Sequence, residues 1–321
     1  MEALKILAFL AFVILLTGFL LTGCTQKERF NYATLDYFDT LTSIMGYAES
    51  RGEFDYFVEI MIVELGRLHQ LFNQFETFDG LNNIKTINDY AGIRPVEVES
   101  EIIEMLNAGI LAEQRTNGIV NIALGAVTNI WREYIDANAD ILPCMDRLIT
   151  AGEFTNIADI VIDGNTVFLR EPNMYLDVGS IAKGFAIERV TQTALEAGFE
   201  SFTLTVGGDV RLTGSPLNRD AWGVGILDPN NPGEIIDSVF VKNTAVFTSG
   251  DYLRYYIVGG EAYHHIIDPR TLMPAVQARS VTVIYPCGIV AEYLSLAAFI
   301  LGEDEASQLL SHYNEAVWIR K

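Results

Sequence analysis

A chain of 321 residues with 21 Lys plus Arg against 42 Asp plus Glu carries a net charge of −21. Its 50% hydrophobic and 20% charged content excludes disordered and fibrous classes and leaves room for one large domain with a sizeable core. So acidic a chain repels polyanions, which excludes nucleic acid as a partner, and a phosphate-bearing ligand would need backbone donors or a cation as intermediary.

The first element is an address rather than part of a fold. Residues 6–22 are nearly all apolar and carry no charge, long enough to span a bilayer. The run stops at Leu21-Thr22-Gly23-Cys24. Small residues before a Cys, directly after an apolar segment, predict processing there and lipid attachment to Cys24. A plain membrane anchor and an ordinary signal peptide are the competing readings; the position of Cys24 favours the lipoprotein. Residues 1–23 then form the signal peptide, residues 24–35 a tether, and the mature protein is lipid-anchored on the outer face of the cell membrane. Of the remaining thiols, Cys144 and Cys287, no spacing rule decides between a disulfide and two separate buried groups.

A strand is predicted from Leu41 to Tyr47. Phe54, Phe57, Val58, Met61, Ile62, Leu65, Leu68 and Phe72 recur at helical spacing and predict a long helix over 53–75. Ser100 is expected to cap a second helix with Ile102, Ile103, Leu106, Ile110 and Leu111 as its buried stripe, ended by Asn117-Gly118. Residues 136–156, with Pro143, read as a partly helical connector. From Asp159 onward short β-rich runs alternate with Gly and Asp turns, at 159–163, 166–169, 202–206, 222–227, 238–248, 253–258, 263–267 and 279–285. Helices at 181–197 and 291–301 interrupt them, ended by Gly198 and Gly302. The order predicts a single α+β domain over 36–321, a helix-rich N-terminal part packed on a mostly antiparallel, sheet-rich C-terminal part. It lacks the regular alternation of a doubly wound fold, which a two-lobed solute receptor would show twice.

Five short stretches carry chemistry. Leu176-Asp177-Val178-Gly179-Ser180-Ile181-Ala182-Lys183-Gly184 runs from a strand through a tight turn into a helix. A helix N-terminus offers free N–H groups to a phosphate, and Lys183 adds a cation; an N-capped helix with a solvated lysine fits as well. Val206-Gly207-Gly208-Asp209 lets backbone approach a ligand or simply turns a hairpin. Phe247-Thr248-Ser249-Gly250-Asp251 is a third strand running into a polar turn. In His264-His265-Ile266-Ile267-Asp268-Pro269-Arg270 the two imidazoles fall on opposite strand faces, which makes them a poor zinc pair and leaves a His near an Asp for proton transfer or phosphate contact. Glu292, in the first turn of the last helix, reads on its own as a helix-dipole residue.

Taken together and in this order, these stretches resemble the ApbE family, the FAD:protein FMN transferases, from about Tyr37 to Trp318. The early half agrees: Phe75-Glu76-Thr77-Phe78-Asp79 with Ile87-Asn88, and Gly118-Ile119-Val120-Asn121-Ile122-Ala123-Leu124-Gly125 before Ile130-Trp131, are similar to the family's flavin-contacting segments. The resemblance implies an Mg²⁺-dependent transferase with FAD as substrate. A Thr or Ser hydroxyl of a target protein attacks the FMN phosphorus and AMP leaves; the typical targets are subunits of membrane redox complexes. By the same resemblance Phe38, Phe78, Ile119, Val120, Asn121, Asp177, Lys183, Gly207, Gly208, Asp209 and His265 would contact FAD. His265 with Asp268 would act in the transfer, Ser180, Glu292 and Ser295 would hold the metal, and Asp251 would line the site. Many relatives are lipoproteins, in keeping with Cys24.

One stretch departs from the family's pattern. Where Ala-Asp-x-Leu-Ser-Thr is usual, this chain has Ala291-Glu292-Tyr293-Leu294-Ser295-Leu296. Glu is one methylene longer than Asp and Leu296 cannot ligate a metal. Asn121 and Ala123 likewise replace the usual Asp and Thr. The alternative to an active transferase is therefore an FAD-binding lipoprotein with weak or lost catalysis.

Overall fold

The computed structural model describes residues 27–321; the signal peptide and Cys24 lie outside them. Two strands open the described chain, β1 (Glu28–Tyr37) and β2 (Thr40–Ala48), paired as an antiparallel hairpin. The expected tether is thus largely strand. Phe30 and Tyr32 pack against the core, Phe30 with its ring 5.6 Å from that of Phe54, and this contact holds the segment down. Helix α1 (Arg51–Phe72) starts at Ser50, whose hydroxyl accepts the Glu53 N–H at 3.2 Å. It buries the expected stripe from Phe54 to Phe72.

A short helix α2 (Ile84–Asp89) and strand β3 (Val96–Glu97) lead to α3 (Ser100–Arg115). Glu99, not Ser100, stands at the cap of α3, and no side chain caps it. Its buried face is Ile102, Met105, Leu106, Gly109 and Ala112, with Leu111 exposed. Helices α4 (Gly125–Asp136) and α5 (Met145–Gly152) follow, then β4 (Ile160–Asp163) and β5 (Thr166–Leu169).

The central sheet is completed by β6 (Phe202–Val206), β7 (Asp209–Thr213), β10 (Thr244–Gly250), β15 (Ser280–Tyr285) and β16 (Val317–Arg320), with helix α6 (Ala182–Glu196) preceding β6 and α7 (Gly288–Ile300) and α8 (Glu303–Leu310) lying between β15 and β16. Its order is β1-β2-β6-β7-β10-β15-β16 and every neighbouring pair is antiparallel. The run expected over 238–248 is two strands, β10 and the earlier β9 (Asn231–Val241), broken at Asn243 with φ 49°. β9 pairs with β8 (Trp222–Asp228) as a ribbon. The helix-rich front and sheet-rich back interleave, because the N-terminal hairpin supplies two strands of the sheet.

Strand alternation explains the layers. Ile44, Leu204, Phe247 and Val283 face the main core with α1, α6 and α7, whereas Met45, Val246 and Ile284 face Trp222 of the ribbon. A third cluster joins Trp131 and Val127 of α4, Leu148 of α5 and Tyr256 of β11 (Tyr255–Val258), which pairs with β12 (Glu261–His264); the short strands β13 (Ile267–Asp268) and β14 (Met273–Pro274) pair beyond it. Cys144 and Cys287 are separate thiols, the first exposed. Among the described residues no helix is long and apolar enough to cross a membrane.

Candidate active site

The two strand-to-turn motifs and the start of α6 converge on one cavity of ≈ 590 Å³, within the range of ligand sites. Its floor is a charged trio. Lys183, in the first turn of α6, donates to Asp209 Oδ2 and stands 3.4 Å from Glu292 Oε1. Asp209 is placed by the β6–β7 turn, where Gly207 and Gly208 adopt φ 61° and 92°. Two left-handed residues in succession suit the twist of a two-residue hairpin, so these glycines turn the chain first, and Gly207 lines the cavity in doing so. Asp209 Oδ1 also accepts the Thr248 N–H at 3.0 Å, tying β7 to β10.

Glu292 is buried on α7, and its Oε2 accepts the Gly184 N–H at 2.8 Å. A Cβ on Gly184 would meet Glu292 Oε2 and Gly288 O at 2.8 Å, so only glycine lets the two helices come this close. Burial pushes the Glu292 carboxyl up, to about 7, against the pull of Lys183. Burial would lower the Lys183 ammonium, but Asp209 and Glu292 outweigh it and hold its pKa above the ordinary lysine value. Lys183 is therefore a fixed cation, with its side chain 31% exposed toward the space above.

The adjacent histidines divide sharply. His264 is buried; its Nε2 lies 2.7 Å from Ala275 O and its Nδ1 accepts the Ile266 N–H at 3.2 Å. Both ring nitrogens are committed and burial lowers its pKa, so it is structural. His265 lines the cavity, and its Nδ1 lies 3.2 Å from Arg254 O. A carbonyl can only accept, so Nδ1 carries the proton and Nε2 keeps a free lone pair. Burial pushes its pKa below the ordinary value, which keeps the imidazole neutral at pH 7.

Asp268 does not join it. This carboxylate accepts the Arg270 N–H at 2.9 Å and the Arg270 guanidinium at 2.8 Å, holding its own turn. It lies off the cavity lining, so Asp268 is not the partner of His265. Asp251, expected to line the site, instead pairs with Arg279. Phe78 is also displaced: the Phe78–Leu81 turn closes on itself. Asn73 Oδ1 accepts the N–H groups of Phe75 and Glu76, both at 2.8 Å, and it is Phe75 that lines the cavity. Gly208 faces open space and does not line it.

Phe38, Ile119, Val120, Asn121, Asp177 and Ser180 all reach the cavity. Asn121 serves the backbone, donating to Thr155 O at 2.9 Å and accepting the Ala123 N–H at 2.8 Å. Asp177 accepts the Thr128 hydroxyl at 2.6 Å and the Gly179 N–H at 3.1 Å. Sequence reasoning missed His69, Thr128 and Arg132, which also line the cavity. Leu124, Thr128, Arg132 and Ile135 repeat at helical spacing, a face that would have been readable had 125–136 been taken as a helix.

Among the described residues no group of three His, Cys, Asp or Glu could cage a metal. Glu292 Oε1 and Ser180 Oγ are buried and lack hydrogen-bond partners among those residues. Ser295 Oγ bonds Glu292 O at 2.9 Å and Ser249 Oγ at 3.0 Å. Leu296, one turn on from Glu292, also faces the cavity. One carboxylate and hydroxyls suit a hard divalent cation that takes its remaining oxygens from a phosphate and water.

Comparison with known proteins agrees with this geometry. Residues 38–318 match the model of the ApbE family. The chain is 31% identical over 247 residues to the FAD:protein FMN transferase of Treponema pallidum, covering 72% of this chain and 68% of that one. To the FAD:protein FMN transferase of Vibrio cholerae it is 28% identical over 297 residues, 91% of this chain and 87% of that one. The crystal structure of the ApbE protein from Thermotoga maritima superposes with a TM-score of 0.80 at 27% identity, covering 91% of this chain and 94% of that one. With a family match over most of its length, the chain belongs to the ApbE family.

Proposed function

We propose that this chain is an FAD:protein FMN transferase. The observation that carries the reading is the fixed cation Lys183, held by Asp209 and Glu292 at the opening of α6, on the floor of a cavity large enough for a nucleotide. Lys183 presents one cation to a diphosphate, but with Asp209 and Glu292 the trio has no positive excess, so in a protein of net charge −21 a divalent cation would supply the remaining neutralisation; positioning with charge neutralisation is most of what phosphoryl transfer requires. The acceptor hydroxyl, from Thr or Ser, attacks the FMN phosphorus. The bond from that phosphorus to the bridging oxygen breaks, AMP leaves, and FMN remains on the acceptor as a phosphodiester. The free Nε2 of His265 takes the hydroxyl proton and passes it to water.

Mg²⁺ is the metal of this reading, with Glu292 and the Ser180 segment as protein contacts. When bound it would supply charge neutralisation at the diphosphate. The second reading, FAD binding with weak catalysis, is favoured by Leu296 in the metal-side lining and by Lys183 engaging the one candidate carboxylate. The mature protein is membrane-anchored through lipidated Cys24, and its acceptors are membrane redox subunits. A Cys24→Ala form still cut at residue 24 and still membrane-bound would refute the anchor.

The deciding experiment incubates the mature protein with FAD, Mg²⁺ and a Thr-containing acceptor domain, and weighs the acceptor. A mass gain equal to FMN minus water is expected, and FAD binding without that gain selects the second reading. His265→Gln should slow transfer about 10²–10⁴-fold while FAD titrates nearly as in wild type. A loss wholly in FAD affinity removes His265 from the chemistry.

A further inference from the structure

Arg132 is a cavity residue that no sequence motif contains. It projects from α4 on the same face as Leu124 and Thr128, and all three line the cavity. Its guanidinium carbon lies 4.2 Å from the centroid of the Phe75 ring, so one face is covered by an aromatic. Its Nη2 stands 3.6 Å from Asp177 Oδ2, close enough for attraction and too long for a good hydrogen bond. Its Nη1 is buried with no hydrogen-bond partner among the described residues.

That combination is expensive for a purely structural arginine. A buried donor on a charged group costs more when left unpaired than an ordinary hydrogen bond returns. A salt bridge that merely braced Asp177 would close to contact, and Asp177 is already held by Thr128 and Gly179. A planar cation, backed by one aromatic ring and keeping a free donor at the wall of a nucleotide-sized cavity, is what a second flat ring with acceptor atoms at its edge would complete.

We propose that Arg132 is a ligand-binding residue for one of the two ring systems of the dinucleotide, donating from Nη1 to a ring nitrogen or carbonyl while its plane, packed on Phe75, sets the ring's tilt. The inference rests on the functional reading above and adds to it the residue that reads a ring rather than the diphosphate. Adenine and isoalloxazine both offer such an edge, so the two sources are separated by experiment.

FAD, ADP and riboflavin are titrated against the mature wild-type protein, Arg132→Lys and Arg132→Met, with thermal melting to verify folding. Arg132→Met should lose tenfold or more in FAD affinity. Arg132→Lys should fall nearly as far, because it keeps the charge but lacks the planar fork. The loss should recur with only one of the two partial ligands. Loss with ADP assigns Arg132 to the adenine, and loss with riboflavin assigns it to the isoalloxazine. Wild-type FAD affinity in both variants overturns the inference and leaves the functional reading standing. Equal losses with ADP and riboflavin overturn it too, marking a general brace of the cavity wall. A wild-type protein that binds none of the three overturns the functional reading and this inference with it.

Discussion

At the floor of the cavity, Lys183, Asp209 and Glu292 come from three separate elements and hold one another through ion pairs and two backbone N–H bonds, from Thr248 and Gly184. At its rim, Phe38 and Asp39 sit in a two-residue turn at φ 54° and 51°, a region unfavourable for side chains other than glycine. The side-chain bond at this turn is made by His69, whose Nδ1 accepts the Phe38 N–H at 3.2 Å and whose ring packs edge-on at 5.4 Å. The floor is charge held rigidly because each charge would be costly if left alone. The rim is shape held by modest contacts against mild strain. Chemistry that needs a fixed field belongs to the first, and admission of a flat ligand belongs to the second.

The comparison breaks most visibly if the floor loses its cation. Lys183→Met leaves two carboxylates buried side by side, and removing one partner of a buried network typically costs about 3–5 kcal/mol. The Lys183 side chain is 31% exposed, so the lower end, about 3 kcal/mol, is expected in a denaturant titration. FAD affinity should also fall about tenfold or more. A variant of unchanged stability and affinity would reduce Lys183 to a surface lysine.

A smaller effect, with a defined pH window, tests Glu292. Its carboxyl has a pKa of about 7 in the folded protein against a reference of 4.5. Between these values the folded protein holds a proton that the unfolded chain has released, so stability falls as pH rises through the window and levels off above it. Glu292→Gln keeps an acceptor for Gly184 N–H and abolishes this loss. In the absence of divalent cations it should exceed wild type at pH 8 by on the order of 1 kcal/mol and converge with it near pH 4. Melting curves across that range decide the matter; parallel curves for the two proteins would mean that folding leaves the Glu292 pKa unshifted.

The smallest effect belongs to the rim. His69→Leu removes the acceptor for Phe38 N–H, a loss of about 1 kcal/mol. It should lower FAD affinity by less than about tenfold and leave the floor intact. His69→Gln, which keeps an acceptor at comparable reach, should recover most of the loss. If His69→Leu weakens FAD more than Lys183→Met does, the division between floor and rim is wrong.

Much of the site was legible along the chain because its strongest residues sit where an element begins or ends. Lys183 follows a strand-to-helix turn and Asp209 a two-glycine hairpin, whereas Glu292 lies past the first turn of α7, which starts at Gly288 and not at the expected 291. Strand alternation by itself separates His264 from His265. Proximity in sequence misled elsewhere. Asp268 lies three residues from His265, yet its carboxylate serves Arg270 and its own backbone turn. Phe78 was the aromatic of a loop whose cavity-facing ring is Phe75, because Asn73 turns the chain two residues before Phe75.

What the sequence alone determined was the long first helix and most of the later strands, the α+β class, the acidic charge and the order of polar turns, since periodicity, turn chemistry and charge are properties of neighbours along the chain. The tertiary structure decided which of those residues meet. Lys183 reaches Asp209 because β7 runs antiparallel beside β6, and Glu292 because Gly184 lets α6 and α7 touch. His69 meets Phe38 across 31 positions and Arg132 meets Phe75 through the docking of α4. Such meetings depend on sheet register and helix packing, which are set by burying the whole core at once, and no short window of sequence contains that information.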